Sequence, residues 1–242
     1  MLSILHFKTL QHYSQLSHCF TTRYYERDIT TAQGQEYFLK SYQSNQSNFI
    51  LPKQVHGSKI QVIQDKDSLS NNKRDVADAI ITNWKNIWIG VLVADCFPIL
   101  MFEPVVNVIA IIHAGWRGID QNIHLKTMQH LLEFMNCSIQ HLLIGIGPGI
   151  GPCCFEVGKE VSDRFEKRSI ISAQFVHHIS EQKALVDLRG LIMADLVMAG
   201  IPLENIEIMN YCTSCCTDLF YSYRKEGKTT GRMLLAARLN DV

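Results

Sequence analysis

Two imidazoles and a thiolate stand at useful places in this chain. His56 lies in Lys53-Gln54-Val55-His56-Gly57, Cys96 in Ala94-Asp95-Cys96-Phe97-Pro98, and His113 opens His113-Ala114-Gly115-Trp116-Arg117-Gly118. In each, an apolar stretch gives way to glycine or polar residues. Histidine nitrogen and cysteine thiolate are donors that zinc favours. Three protein ligands rather than four leave a position for water or substrate, the pattern of a catalytic site. The same donors also accept copper.

The same three residues admit other readings. Without metal, Cys96 becomes a nucleophile with His113 or His56 as general base and backbone N–H groups as the oxyanion hole, the equipment of a Cys-His amidase. A metal-binding interaction protein is a non-enzymatic alternative, against which an open three-ligand site beside Arg117 and glycine loops argues. The plainest alternative is that a lone cysteine is a small apolar core residue. The spacing is not that of a zinc finger.

The elements around these residues suggest how they converge. Residues 87–94 read as a buried strand, with Asp95-Cys96 after it, and residues 105–112 as a second strand, with His113 after it. Side by side and parallel, these strands would deliver Cys96 and His113 to one edge of a sheet, where α/β proteins place their sites. His56 would come from a third segment, 49–55. Helical spacing appears over 119–135, 156–167 and 185–199, the last stopped by Gly200 and Pro202. Residues 142–146 and 206–209 read as strands, and 220–239 as a hairpin about residues 225–228. The polar stretches 43–48 and 64–75 read as surface loops. Strands and helices interleave without a strict βαβ rhythm, so the expectation is a single domain over residues 1–242, a mixed α/β sandwich rather than a doubly wound parallel sheet.

Other groups carry weaker signals. The glycine-rich run 145–152 follows a strand and could hold an oxyanion or phosphate on backbone N–H groups, although its prolines remove two donors and a tight turn explains it equally well. Arg117 follows His113 by four residues and could grip phosphate or carboxylate in a fork; a surface ion pair is the commoner fate of such an arginine, and Arg224 and Arg232 face the same choice. Among the cysteines, Cys19 and Cys137 read as core residues. Cys153-Cys154 and Cys212-x-x-Cys215-Cys216 are five more, and four of them could form a structural zinc site. Adjacent residues point apart in most backbones, which argues against Cys153 and Cys154 sharing one metal. No G-x-S-x-G occurs, against a serine hydrolase of that type, and the 10 histidines include no H-x-H pair of the kind a multicopper cluster uses.

Composition narrows the classes further. In 242 residues, 23 Lys and Arg balance 23 Asp and Glu, so the basic excess of a nucleic-acid binder is missing. Hydrophobic residues make up 47%, ample for a sizeable core, yet the clean apolar runs are of strand length, short of the ~20 residues that span a membrane. Residues 1–20 carry no apolar signal-peptide region. The expectation is a cytoplasmic protein with reduced thiols and no membrane or nucleic-acid partner.

Together these motifs resemble the YfiH family, also called the laccase-domain or peptidoglycan-editing-factor family. The resemblance rests on Gln54-Val55-His56-Gly57, Asp78-Ala79-Ile80-Ile81-Thr82, Ala94-Asp95-Cys96-Phe97-Pro98 and the His113 to Gly118 run. It continues through Gly147-Pro148-Gly149-Ile150-Gly151-Pro152-Cys153-Cys154-Phe155-Glu156-Val157-Gly158, Cys212-Thr213, residues 220–224 and Thr230-Gly231-Arg232-Met233. The motifs run in family order across residues 50–239. The resemblance implies a four-layer α/β/β/α fold and a metal, zinc or copper, on His56, Cys96 and His113. It implies phosphorolysis of adenosine, inosine and methylthioadenosine and deamination of adenosine, with a separate bacterial role in editing peptidoglycan precursors. Small-molecule nucleosides and phosphate would be the partners. On this reading Cys96, His113 and Asp95 are the catalytic candidates, Asp95 or Asp78 serving as proton carrier. Arg117, Arg23, Gln54 and Arg224 are the substrate contacts. One segment departs from the family: Thr22-Arg23 matches, but residues 24–32 are short and do not, so one wall of the pocket is expected to differ.

Overall fold

A computed structural model describes residues 2–44, 49–65 and 75–241. The stretches 43–48 and 64–75 expected as loops fall largely outside them. In chain order the elements begin with β1 (Ile4–Leu5), β2 (Leu16–Thr21), α1 (Ala32–Ser41), β3 (Phe49–Ile50), β4 (Ile60–Ile63), β5 (Ala79–Thr82) and β6 (Trp88–Val93). The middle of the chain forms β7 (Phe97–Glu103), β8 (Val108–Ala114), α2 (Trp116–Asp120), α3 (Ile123–Phe134) and β9 (Leu143–Ile146). The remainder forms β10 (Glu156–Gly158), α4 (Lys159–Arg168), α5 (Ile170–Ala173), β11 (Val176–Ser180), β12 (Lys183–Val186), α6 (Leu188–Met198), β13 (Ile206–Ile208), α7 (Tyr223–Glu226) and β14 (Met233–Leu239).

Two large sheets dominate. One has five strands in the order β1-β2-β14-β6-β3, the other six in the order β13-β9-β7-β8-β5-β4, and a three-stranded sheet β10-β12-β11 stands apart. Side chains alternate across each strand, and here both faces are covered, so the strands read as unbroken apolar runs. On β7 and β8, Leu100, Phe102, Ile109 and Ile111 point into the space between the sheets, where they meet Val91, Val93, Met233 and Leu235. Their neighbours Ile99, Met101, Ala110 and Ile112 face the opposite way, onto Ile123, Met128 and Leu131 of α3 and Leu191 and Ile192 of α6. On β14 the alternate residues Leu234 and Ala236 pack with Trp88 beneath Phe38 and Leu39 of α1. The result is the expected α/β/β/α stack. Each fully buried side chain of this kind contributes about 1.5–3 kcal/mol of transfer free energy.

Several local expectations are corrected. The strands β6 and β8 are not parallel neighbours: they belong to different sheets that face each other. Residues 97–103, unassigned in the sequence reading, form β7, which runs antiparallel to β8 with Pro98 opposite His113 and Phe97 opposite Ala114. A proline near the start of a central strand disguises it, since proline lacks the N–H that a ladder uses. The β8 strand begins at Val108 rather than 105 and includes His113. The helix expected over 119–135 is two helices, broken at Asn122, whose φ of 61° is left-handed. Residues 156–158 and 183–186 are strands ahead of their helices. Residues 220–239 are no hairpin: Ser222 caps α7 by accepting from the Lys225 N–H, and β14 leaves to pair with β2 and β6.

The edge of the five-stranded sheet has a pH-sensitive pin. His18 on β2 is buried, and its Nε2 accepts the Phe7 N–H at 2.9 Å. Burial, reinforced by neighbouring His6, lowers its pKa from 6.5 to about 4. Between these values the unfolded chain binds the proton and the folded chain does not, so stability is full above pH 6.5 and falls as pH drops toward 4. Urea midpoints measured from pH 7 to 4 should fall, and His18→Gln, which keeps an acceptor for Phe7 but does not titrate, should flatten the descent. An unchanged descent would remove His18 from the acid response.

Candidate active site

The pairing of β7 with β8 brings Cys96 and His113 together: one residue precedes the strand that lies against the other. His56 arrives on the turn after β3, with φ 60°, and its ring meets that of His113 edge to face at 4.7 Å between centroids. The ligand atoms of His56, Cys96 and His113 all lie within 4.8 Å of one another. His113 is buried, Cys96 half-buried and His56 exposed, so the trio is anchored on one side and open on the other. Gly115 lies against it: a Cβ there would sit 3.0 Å from Cys96 Sγ and 3.1 Å from the His56 ring. The glycine leaves the room that any larger residue would fill.

Asp78 sets the orientation. Its buried carboxylate accepts the N–H groups of Val55 at 3.2 Å, His56 at 2.9 Å and Gly57 at 2.7 Å, and the Nδ1–H of His113 at 2.8 Å. Burial alone would raise its pKa; His113 and the backbone donors more than offset this and hold it below the usual carboxylate range. With Nδ1 committed, Nε2 is the His113 nitrogen left to bind a metal, a carboxylate–histidine arrangement typical of metal sites. The donor set, the open side and this support fit a divalent metal. Without one, the trio is strongly polarised. Burial opposes charge on Cys96, yet His113 and His56 bring its pKa down to about 6; burial likewise opposes charge on His113, yet Cys96 and Asp78 raise it to about 9.

The trio opens on a cleft of about 1080 Å³. Trp116, Phe155 and Tyr223 supply flat apolar surface, and Arg117, Arg224 and Arg232 supply positive charge. The arginines differ in what they have left to give. Arg224 donates to the carbonyls of Cys154 and Glu156, both at 2.9 Å, and Arg232 to those of Thr230 and Gly231. Arg117 is exposed and stacks on Trp116 with its guanidinium carbon 4.3 Å from the ring centre, and the guanidinium makes no hydrogen bond to the described residues. Its donors face a ligand without competition.

Other expected site residues serve the framework. Gln54 lines the cleft, but its amide exchanges two hydrogen bonds with the backbone of Leu92, at 2.8 and 2.9 Å. Asp95, at φ 81°, accepts from the Thr213 hydroxyl at 2.6 Å and the Arg224 N–H at 2.7 Å, so each carboxylate oxygen has a partner. Arg23, expected at the substrate, is instead held by the Glu226 carboxylate and the Thr217 carbonyl, lies over Tyr221, and is not part of the cleft wall. The sequence reading missed Tyr223 and Asp28 as wall residues. Asp28 and Thr30 fall within residues 24–32, so the segment that departs from the family does form part of the wall.

Asp78→Asn should keep the shape of this support while removing its charge and setting an NH₂ group among donors. Metal affinity, measured by competition with a chromophoric chelator, should drop ~10–100-fold. Unchanged affinity in a folded variant would mean that Asp78 does not tune the trio.

Comparison with known proteins shows the family and the fold. The chain matches the family described as multi-copper polyphenol oxidoreductase laccase over residues 12–240. It is 32% identical over 191 residues to adenosine deaminase RL5 from an unknown prokaryotic organism, covering 76% of this chain and 72% of that one. It is 24% identical over 215 residues to purine nucleoside phosphorylase YlmD of Bacillus subtilis, covering 87% and 77%. The fold superimposes on the crystal structure of hypothetical protein YfiH from Bacillus licheniformis with a TM-score of 0.88, 24% identity, and coverage of 98% and 97%. With its motifs, its layers and the match along nearly its whole length in accord, the chain belongs to the multi-copper polyphenol oxidoreductase laccase family, the YfiH-like group whose named relatives process purine nucleosides.

Proposed function

We propose that this chain is a zinc-dependent purine nucleoside enzyme, which phosphorolyses adenosine, inosine and methylthioadenosine and deaminates adenosine. The observation that carries this reading is the open His56–Cys96–His113 trio beside an arginine with uncommitted donors. The names of two relatives supply the substrate class. His56, Cys96 and His113 would hold the ion, and a divalent ion held there supplies Lewis acidity. Three donors in the one histidine-containing ligand group among the described residues are too few for a multicopper cluster, and elemental analysis distinguishes zinc from a single copper ion.

The chain's own residues account for binding and orientation. A purine ring finds faces on Trp116, Phe155 or Tyr223. Phosphorolysis breaks the bond from ribose C1′ to the base and makes one from C1′ to a phosphate oxygen; the base leaves with the electron pair and takes a proton. Arg117 holds the incoming phosphate through its forked donors. Asp95 acts as a positioning residue, fixing the turn that presents Cys96 to the loops carrying Thr213 and Arg224.

A second reading has a specific observation behind it. The Cys96 thiol, lowered to about 6, faces His113, which is backed in turn by Asp78, and such an order of groups activates a cysteine nucleophile. In that reading the chain is an amidase that acts on peptidoglycan precursors, and Cys96 forms a thioester.

Two measurements separate these readings. With purified enzyme and phosphate, adenine or hypoxanthine should be released from nucleosides and ammonia from adenosine. Arg117→Ala should raise the KM for phosphate at least ~10-fold while slowing deamination far less, because only phosphorolysis needs the second anion. Equal losses in both reactions would remove Arg117 from the phosphate site. Cys96→Ala should lose one equivalent of zinc relative to wild type, and Cys96→Asp, which keeps an anionic donor, should retain part of both metal and turnover. A covalent substrate adduct on Cys96 in turnover mass spectra, with Cys96→Asp inactive and wild-type activity independent of metal, would establish the amidase instead.

A further inference from the structure

Four more cysteines meet outside the cleft. Sγ atoms of Cys153 and Cys154 lie 3.5 and 3.4 Å from that of Cys215, and together with Cys212 all four sulfurs lie within 4.8 Å of one another. The expectation that Cys153 and Cys154 diverge holds for an extended chain, and this segment is not extended. The N–H groups of Cys154 and Phe155 both donate to the Gly151 carbonyl at 3.0 Å, which curls the backbone and turns both sulfurs to one side. The opposing segment is a tight turn as well, with the N–H groups of Cys215 and Cys216 donating to the Cys212 carbonyl. The two turns are already joined: Gly149 bridges to Cys212, Thr213 donates to the Gly149 carbonyl, and the Gly151 N–H donates to Cys212 Sγ at 3.1 Å.

We propose that Cys153, Cys154, Cys212 and Cys215 form a second zinc site, structural rather than catalytic, that staples the β9–β10 turn to the turn after β13. Four thiolates around zinc with bonds of ~2.3 Å place their sulfurs about 3.8 Å apart in a tetrahedron. The spacings here lie around that value, far from the ~2.05 Å of a disulfide. Cys215 is also nearly equidistant from two partners, so no single pair is singled out for oxidation. An N–H group aimed at a sulfur, as Gly151 is at Cys212, stabilises thiolate over thiol. Four protein donors close the coordination shell, the mark of a structural site. Zinc enters as the dication, and each cysteine that arrives as a thiol gives up its proton, so binding weakens as pH falls. All-sulfur sites also suit cuprous and iron ions, which elemental analysis distinguishes.

The staple reaches the cleft through two short paths. Thr213 stands between two of its ligands and donates to Asp95, the residue before Cys96. The carbonyl of Cys154 receives Arg224, a cleft-wall residue. Holding the two turns together therefore holds the backs of the Cys96 turn and of the wall.

Metal analysis of the intact chain, purified without chelators, tests this independently of any activity. Wild type should carry one more equivalent of zinc than Cys215→Ser or Cys153→Ser. Cys216→Ser, outside the four, should lose none. Cobalt-substituted Cys96→Ala should keep the intense thiolate charge-transfer and tetrahedral d–d bands of an all-sulfur site, and Cys215→Ser should lose them. If Cys215→Ser does not fold, cobalt titration of wild-type and Cys96→Ala apoprotein reads the same bands. Failure of the cleft trio to bind metal would leave these bands in place, so the two assignments stand or fall separately. The proposal is overturned if Cys215→Ser leaves zinc content and cobalt spectrum unchanged, if copper or iron replaces zinc in the four-sulfur site, or if mass spectrometry finds Cys215 in a disulfide in freshly isolated protein.

Discussion

The site depends on one buried negative charge. The Asp78 carboxylate is shielded from water and surrounded by four N–H donors, three on the backbone of residues 55–57 and one on the ring of His113. A carboxylate so buried would be costly without partners; hydrogen bonds to a charged group contribute about 1.5–3 kcal/mol each, and this one has its acceptor capacity filled. The donors come from different places. Residues 55–57 follow β3 of the five-stranded sheet, while Asp78 leads into β5 and His113 sits on β8 of the six-stranded one. One charge therefore fixes the left-handed turn carrying His56 and the ring plane of His113, and ties the sheets together where the ligands meet. The His113 N–H donating to the Asp78 carbonyl at 2.7 Å locks the same two strands through the backbone.

Around this centre, side chains substitute for secondary structure. The pairing of β3 with β6 ends at Ile50 opposite Ile89, yet the chain must still run alongside β6 to deliver His56. Gln54 continues the ladder by offering its amide to both backbone groups of Leu92, since a carboxamide carries the same donor and acceptor as a peptide unit. Asp95 does the same for loops that have no strand to join, taking a hydroxyl from one and a backbone N–H from another. In the sequence Gln54 reads as a substrate contact and Asp95 as a proton carrier, because polar side chains beside a ligand residue are usually read as functional. Their hydrogen bonds are consumed in building the wall.

This explains what the sequence could and could not reveal. The trio is legible because donor type and position at the ends of apolar runs are local properties. The mixed α/β class follows from the interleaving of apolar strand runs with helical spacings, whereas the α/β/β/α layering comes only from the family motifs. The pairing that unites Cys96 with His113 is not local: it needs β7, and Pro98 hides β7 by resembling the end of a strand. Asp78 is visible as an acidic residue before an apolar run, but its four partners lie 21 to 35 residues away in the chain, and nothing in its neighbourhood marks it as a hub rather than a proton carrier. The four-cysteine cluster was discounted from the geometry of an extended backbone, and Gly151 supplies the turn that reverses that geometry.

The segment 24–32 shows how a local departure from the family can bear on specificity. Asp28 and Thr30 reach the cleft wall, and the Asp28 carboxylate is turned inward on its own loop, accepting from the N–H and hydroxyl of Thr30. The loop lies close over the first turn of α1: a Cβ at Gly34 would stand 1.9 Å from the Asp28 carbonyl oxygen, so only glycine lets the loop sit so low. Thr31 then caps the helix by accepting the Gly34 N–H at 3.0 Å. The wall is thus set by backbone contact with a helix that packs on the five-stranded sheet through Phe38 and Leu39. A short loop held this way has little slack. Asp28 lines the cleft along with Arg117, Arg224 and Arg232, so the wall carries both signs of charge, and an acidic part of it is placed by this loop.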